Sequence, residues 1–199
     1  MKFTEEKLEK AFTELLGQEG FPHHLGITIS RNPDEVLIEE DLRNFLLNQY
    51  ASQGITINEA NSIILQLKSL PASDLYESNK TFLKMLSDGF ILKREDRNQK
   101  DIYIQLINFA GLNKHRQPDA EQLISVAAEP EEQYPPDTNI YKFVNQLEII
   151  GTEKRIPDGI VYINGLPLVV FEFKSAIREE ATIFDAFKQL TVRYRRDIP

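Results

Sequence analysis

Residues 155–176 read RIPDGIVYINGLPLVVFEFKSA, and the fold turns on this stretch. Asn164-Gly165 stands between two runs rich in Val, Ile and Phe, the strongest short-range signal for a β-hairpin. Side chains alternate along a strand, so Leu168, Val170, Glu172 and Lys174 share one face while Val169, Phe171 and Phe173 share the other, which the pattern assigns to the core. A hairpin this apolar needs a reason to carry Asp158 at one end and Glu172 and Lys174 at the other. Burying a charge is costly unless it is paired or bound to a cation. One compensation is a Glu172–Lys174 ion pair at the sheet edge. The other is a metal held by Asp158 and Glu172, with Lys174 beside it to stabilise developing negative charge.

Register decides whether the second site can exist. With a plain two-residue loop, Asp158 faces Phe171 and the two carboxylates leave on opposite sides of the sheet. A three-residue loop with Gly165 left-handed, or a bulge at Gly159, restores the parity and sets Asp158 opposite Val170, one diagonal step from Glu172. The sequence therefore predicts an odd-length loop or a bulge. Two carboxylates and a main-chain carbonyl, here that of Phe173, suit Mg²⁺ and phosphodiester chemistry, and a neighbouring lysine can orient the nucleophile. By itself such an Asp…Glu-x-Lys string is common by chance.

The rest of the chain bounds the possibilities. With 199 residues, 41% of them hydrophobic, it has material for a real core. The start MKFTEEKLEKAF is charged and amphipathic, unlike a secretory leader, and no apolar run is long enough to span a bilayer, which predicts a soluble cytoplasmic protein without membrane attachment. Cysteine is absent, which removes disulfides, thiolate catalysis and Cys-ligated zinc. FPHHLG resembles a metal clip, but the adjacent side chains of His23 and His24 diverge, and His115 lies in a polar stretch. The net charge of −8 argues against a chain that is nucleic-acid surface throughout. From Lys174 onward, however, six basic residues, Arg193 among them, face four acids, so this last segment tolerates a polyanion best.

Periodicity predicts helices in FTEEKLEKAFTELLGQEGF, capped by Thr4, and in DEVLIEEDLRNFLLNQY, TINEANSIILQLKSL and NKTFLKMLSDGF. DIYIQLINF and IYKFVNQLEII read as strands, with a Pro-rich acidic excursion between them whose apolar island at Leu123 to Ala128 is a candidate strand and which loops around Pro130 to Asp137. A final helix carries Ile183, Ala186, Phe187, Leu190 and Tyr194 on one face. Helices followed by strands and a closing helix predict an α/β (α+β) fold with a mixed central sheet. The expected division is a helical region over 1–95, packing on a core over 96–199.

NQLEIIGTEKRIPDGIVYINGLPLVVFEFKSA resembles the nuclease segment in the restriction (R) subunit of type I restriction–modification enzymes, in which an Asn-Gln strand leads to Pro-Asp, Asn-Gly-Leu-Pro-Leu and Glu-x-Lys. AFKQLTVRYRRDIP is similar to the helix that follows, and FTEEKLEKAFTELL and EVLIEEDLRNFL to the helices that begin that subunit. The resemblance implies a PD-(D/E)xK restriction-endonuclease-like core with an N-terminal helical elaboration, and Mg²⁺-dependent cleavage of double-stranded DNA. Asp158, Glu172 and Lys174 fall on its catalytic positions, with Asp158, Glu172 and the Phe173 carbonyl on the metal. Gln189 and Tyr194 match the helix motif that supports the site or contacts DNA, with Arg193 beside them, and Glu39 matches an acid on an early helix. One departure is plain: the family spaces Gln and Tyr four apart, and this chain spaces them five apart, a rotation of about 100° on an ideal helix. The implied partners are DNA and the modification and specificity subunits. ATP belongs to a motor region, and no G-x(4)-G-K-[ST] string occurs here, so an N-terminal fragment is expected. The competing readings are a non-catalytic docking domain that binds partner subunits and, more remotely, an acidic DNA mimic.

Overall fold

A computed structural model describes residues 4–110, 136–174 and 183–198. The expected strand at Leu123 to Ala128, most of the loop from Pro130, and His115 lie outside the described residues. Contacts divide the chain into two compact units, one of Met1–Asn44 with Ile140–Pro199 and one of Phe45–Asn139. The boundary expected at residue 95 is a cut along the sequence, whereas the first unit here is assembled from both ends of the chain.

The first unit opens with α1 (Glu5–Gln18), where the Thr4 side chain accepts the Lys7 N–H as predicted for an N-cap. The mixed sheet runs β1 (His23–Leu25), β4 (Tyr141–Asn145), β7 (Gly159–Ile163) and β8 (Leu166–Phe171), in that spatial order. β1 lies parallel to β4, and the other two pairings are antiparallel. β1 is invisible to pattern reading because three residues carry too little alternation. The predicted strand IYKFVNQLEII is broken: Gln146 adopts a left-handed φ of 52°, ending β4 before a short hairpin of β5 (Ile149–Ile150) and β6 (Lys154–Arg155). α2 (Glu39–Gln49) begins three residues later than the periodicity suggests, after Val36–Ile38, and it runs from the first unit into the second. The Ile38 N–H is donated to the Gly165 carbonyl instead of entering a helix.

One face of the sheet buries Ile38, Val144, Leu147, Ile149, Ile160 and Tyr162. The other meets α1 through a ring cluster in which Phe12 lies 4.6 Å from Phe171, 5.3 Å from Phe173 and 5.9 Å from Phe143, centroid to centroid. Gly159 belongs to this packing, since a Cβ there would lie 2.4 Å from the Phe143 ring. The expectation that Val169 is core fails: it is 45% exposed, because β8 is the edge strand.

The second unit contains α3 (Ile57–Lys68), entered through a Thr56–Glu59 capping box, and α4 (Leu75–Asp88), closed by Gly89 at φ 67°. β2 (Phe90–Leu92) and β3 (Ile102–Ile104) pair antiparallel. Its buried side chains include Phe45, Leu46, Ile63, Ile64, Ile102, Ile104 and Leu106. No helix among the described residues is long and apolar enough to cross a membrane.

Candidate active site

The hairpin solves its parity problem with a bulge. Asn164 and Gly165 both have positive φ, 53° and 75°, and form a two-residue loop with Ile163 opposite Leu166. Gly165 is obligatory, because a Cβ would sit 2.2 Å from the Ile38 carbonyl oxygen. Pairing then shifts: Tyr162 faces Pro167 but Val161 faces Val169, which leaves Leu168 as the extra residue of β8. Of the two predicted alternatives the bulge is realised, though at Leu168 and not at Gly159. From there Gly159 faces Phe171, and the same register carried one step further sets Asp158 directly across from Glu172 instead of diagonal to it.

The two carboxylates and the lysine converge beyond the end of the paired strands. Asp158 Oδ2 accepts the Phe173 N–H at 2.5 Å, fixing the carboxylate against the neighbouring backbone. Glu172 Oε1 accepts from Lys174 Nζ at 2.5 Å, and Glu172 Oε2 accepts from the Tyr194 hydroxyl at 2.8 Å. The Glu172 side chain is 3% exposed and that of Lys174 23%. Burial pushes the Asp158 carboxyl above its ordinary pKa; the Phe173 N–H and Lys174 oppose the rise, and the negative charges of Glu172 and Glu9 add to it. One lysine thus faces more negative charge than it offsets.

Glu9 is a residue that sequence reading missed. It projects from α1 into a cleft of about 330 Å³ lined also by Gln146, Glu148, Ile156, Pro157 and Asp158. Asn145 Nδ2 donates to Glu9 Oε1 at 2.8 Å, and Asn145 Oδ1 pairs with His23 Nε2 at 2.8 Å. The only local hint was the position of Glu9 on the polar side of an amphipathic helix, which every solvated carboxylate shares. Glu39, the acid nominated from the early helices, lies 3.5 Å from Arg43 across one turn of α2.

Gln189 and Tyr194 meet despite their spacing. The closing helix is α5 (Ile183–Lys188), then a π-helical turn over Gln189–Tyr194, then α6 (Arg195–Asp197). A π turn joins residues five apart as an α turn joins residues four apart. Gln189 Nε2 accordingly donates to the Tyr194 hydroxyl at 2.9 Å, and Tyr194 is buried. Burial pushes the Tyr194 hydroxyl far above its ordinary pKa; the bond from Gln189 opposes this, and Glu172 and Asp158 reinforce it, so the group is a proton donor throughout the physiological range. Arg193, by contrast, is exposed on the same turn. Of the predicted closing face, Tyr194 is buried while Ile183 and Phe187 are 89% and 57% exposed.

The helix end is anchored to the strand that leads into Asp158. Asp197 accepts from Arg155 and Arg196, and its carbonyl accepts the Thr152 N–H at 3.0 Å. Bonds from Arg196 and Arg155 hold the inaccessible Asp197 carboxyl down to about 2 against desolvation.

The donor set suits a hard cation: two partly buried carboxylates in excess of one lysine, with carbonyl oxygen adjacent. Among the described residues no group of three His, Asp or Glu side chains converges closely enough to hold a metal by itself, so main-chain or solvent oxygens would complete any coordination.

Residues 2–199 match the family model described as "Type I restriction enzyme R protein N terminus". The chain is 28% identical over 191 residues to the "Type I restriction enzyme HindI endonuclease subunit" of Haemophilus influenzae, covering 94% of this chain and 16% of that protein. It is 27% identical over 197 residues to the "Putative type I restriction enzyme MjaIXP endonuclease subunit" of Methanocaldococcus jannaschii, covering 96% and 17%. The "Putative type I restriction enzyme MjaVIIIP endonuclease subunit" of the same organism is 33% identical over 63 residues, 32% of this chain and 6% of that protein. The chain therefore spans less than a fifth of the length of these curated relatives. No solved structure matches it.

Proposed function

The chain belongs to the family of type I restriction enzyme R protein N-terminal domains, and on that premise we propose that it is the nuclease domain of an R subunit, with a PD-(D/E)xK core that hydrolyses phosphodiester bonds in double-stranded DNA. The observation that carries this reading is the bulge at Leu168, which sets Asp158 across from Glu172 with Lys174 bonded to Glu172. A merely structural ion pair needs Glu172 and Lys174 alone. It gives no reason for a second carboxylate held in a place where burial and two neighbouring acids raise its pKa.

In this mechanism Asp158, Glu172 and the Phe173 carbonyl would hold Mg²⁺, which would offset charge on the phosphodiester and supply a more acidic water. Phe173 would have two tasks: its N–H fixes the Asp158 carboxylate, and its carbonyl would serve as a further oxygen ligand. Lys174 orients the attacking water and, as a cation, stabilises the phosphorane-like charge that develops as the P–O bond breaks. Tyr194, itself held by Gln189, holds the far oxygen of Glu172, and Glu9 adds negative charge to the lining of the cleft. The supporting basic residue is Arg193, exposed where a DNA backbone would approach. The wider complex supplies ATP-driven translocation and, through modification and specificity subunits, choice of sequence, in the cytoplasm.

The test is cleavage by the complete R subunit assembled with its partners, wild type against Lys174→Ala. Cleavage lost with ATP hydrolysis retained supports the reading, and unchanged cleavage defeats it in favour of a docking role.

A further inference from the structure

We propose that the π turn over Gln189–Tyr194 is a register device, which delivers a two-residue clamp onto Glu172 from a helix whose residue spacing would otherwise separate its members. The inference rests on the nuclease reading of the same site and assigns Gln189 and Tyr194 as positioning residues, which act through Glu172.

The downstream half of the helix is fixed independently of Gln189. Asp197 is bonded to Arg155 and Arg196, its carbonyl receives the Thr152 N–H, and the Ile198 N–H returns to the Tyr194 carbonyl at 2.9 Å. Tyr194 is therefore placed by its own C-terminal neighbours, with its hydroxyl on Glu172. Carried back from Tyr194 as a regular α-helix, the chain would point Gln189 about 100° away from the position of a residue four earlier. The π turn absorbs one residue, and Gln189 regains the hydroxyl. π turns are rare and energetically poorer than α turns, and they concentrate at functional sites.

The absorbed residue lies in the exposed middle of the turn. Thr191, Val192 and Arg193 are exposed, Val192 to 58%. The directional chain that the turn preserves runs Gln189 to Tyr194 to Glu172. Because Gln189 Nε2 donates to the tyrosine oxygen, the hydroxyl proton is committed to Glu172 Oε2. With Oε1 held by Lys174, both oxygens of the carboxylate have fixed orientation. Partners of this kind around a metal-binding carboxylate typically govern about 10–100-fold in affinity or activity.

Four variants of the complete R subunit, assayed in the assembled complex for DNA cleavage across a Mg²⁺ titration, test the inference. Deletion of Val192 shortens the spacing to four and converts the turn to α; cleavage within about threefold of wild type at an unchanged half-saturating Mg²⁺ concentration is expected. Tyr194→Phe and Gln189→Ala each lower cleavage about 10–100-fold and raise that Mg²⁺ concentration, and their combination costs no more than the worse single change, because both act on one carboxylate. A correctly folded Val192 deletion, with wild-type melting and ATP hydrolysis, that cleaves as poorly as Tyr194→Phe overturns the inference. Multiplicative losses for Gln189→Ala and Tyr194→Phe overturn it as well, without any change to the backbone. Lys174→Ala serves as the separate control: full cleavage there defeats the nuclease reading itself, whatever the helix variants do.

Discussion

Each unit of this protein buries an acid beside a base, and the two sites are balanced differently. In the second unit Glu59 and Arg94 are 2% and 3% exposed and meet at 2.7 Å. Glu59 also accepts the Thr56 and Glu95 N–H groups, and Arg94 donates to the Gln53 and Gly54 carbonyls. Burial pushes the Glu59 carboxyl up, yet the bonds from Arg94 and the backbone more than reverse this, so its pKa ends below the ordinary value. In the first unit Lys174 meets Glu172 at 2.5 Å, but burial, joined by the negative charges of Glu172 and Glu9, outweighs Lys174 and the Phe173 N–H, and the Asp158 carboxyl moves up. A buried pair whose every donor and acceptor is answered closes on itself and is structural. A buried group with charge left over is built to receive something.

Removing the unanswered site's base gives the largest expected effect. Lys174→Ala in the complete R subunit should lower DNA cleavage by about 10²–10⁴-fold while ATP hydrolysis is retained, as gel and ATPase assays would read. Glu59→Ala reverses the pattern. It strands Arg94 and should cost about 3–5 kcal/mol in denaturant unfolding, whereas replacing both partners by apolar residues of similar volume should recover most of that loss. Were Glu59→Ala to leave stability intact, the contrast between closed and open charge would collapse.

Smaller effects sharpen the same contrast. Asp158 has a folded pKa raised above its unfolded value, so ionisation opposes folding once the pH exceeds the ordinary carboxylate range. Asp158→Asn keeps an oxygen for the Phe173 N–H and should raise the melting midpoint at pH 7 by a degree or more without added Mg²⁺, while abolishing any further rise when Mg²⁺ is added. A lower midpoint would show that Asp158 is a stabilising carboxylate. Asp197 has the opposite sign: its pKa is depressed to about 2, so its contribution is whole above the ordinary carboxylate range and is lost as the pH falls through about 2. The stability gap between wild type and Asp197→Asn should therefore close as unfolding is measured from pH 5 down to pH 2. A gap independent of pH would remove the charge clamp on the helix end.

Much of this was legible in residue order. Thr4 marks a helix start by chemistry that acts within four residues, and Asn164-Gly165 marks the hairpin in the same way. The need for odd parity was also legible, because period-two alternation makes Asp158 and Glu172 incompatible across a plain two-residue loop. Which device would supply that parity was not: a bulge at Leu168 depends on Pro167, which brings no N–H to the pairing, and on the packing of an edge strand. Similarly, α1 announced itself as a helix, but nothing local distinguished Glu9 from Glu5 or Glu39. Its place in the cleft follows from how Phe12 seats that helix on Phe143, Phe171 and Phe173.

The sequence by itself determined the hairpin, the Thr4 cap, the charged trio of Asp158, Glu172 and Lys174, and the family, because each is written in neighbouring residues or short spacings. Tertiary structure alone decided that Glu9 adds its charge to that of Glu172 at Asp158, that the bulge falls at Leu168, and that five-residue spacing still joins Gln189 to Tyr194. Those outcomes depend on where separate segments of chain press against each other: a helix turn changes its winding when both its ends are held, and no local propensity records that constraint.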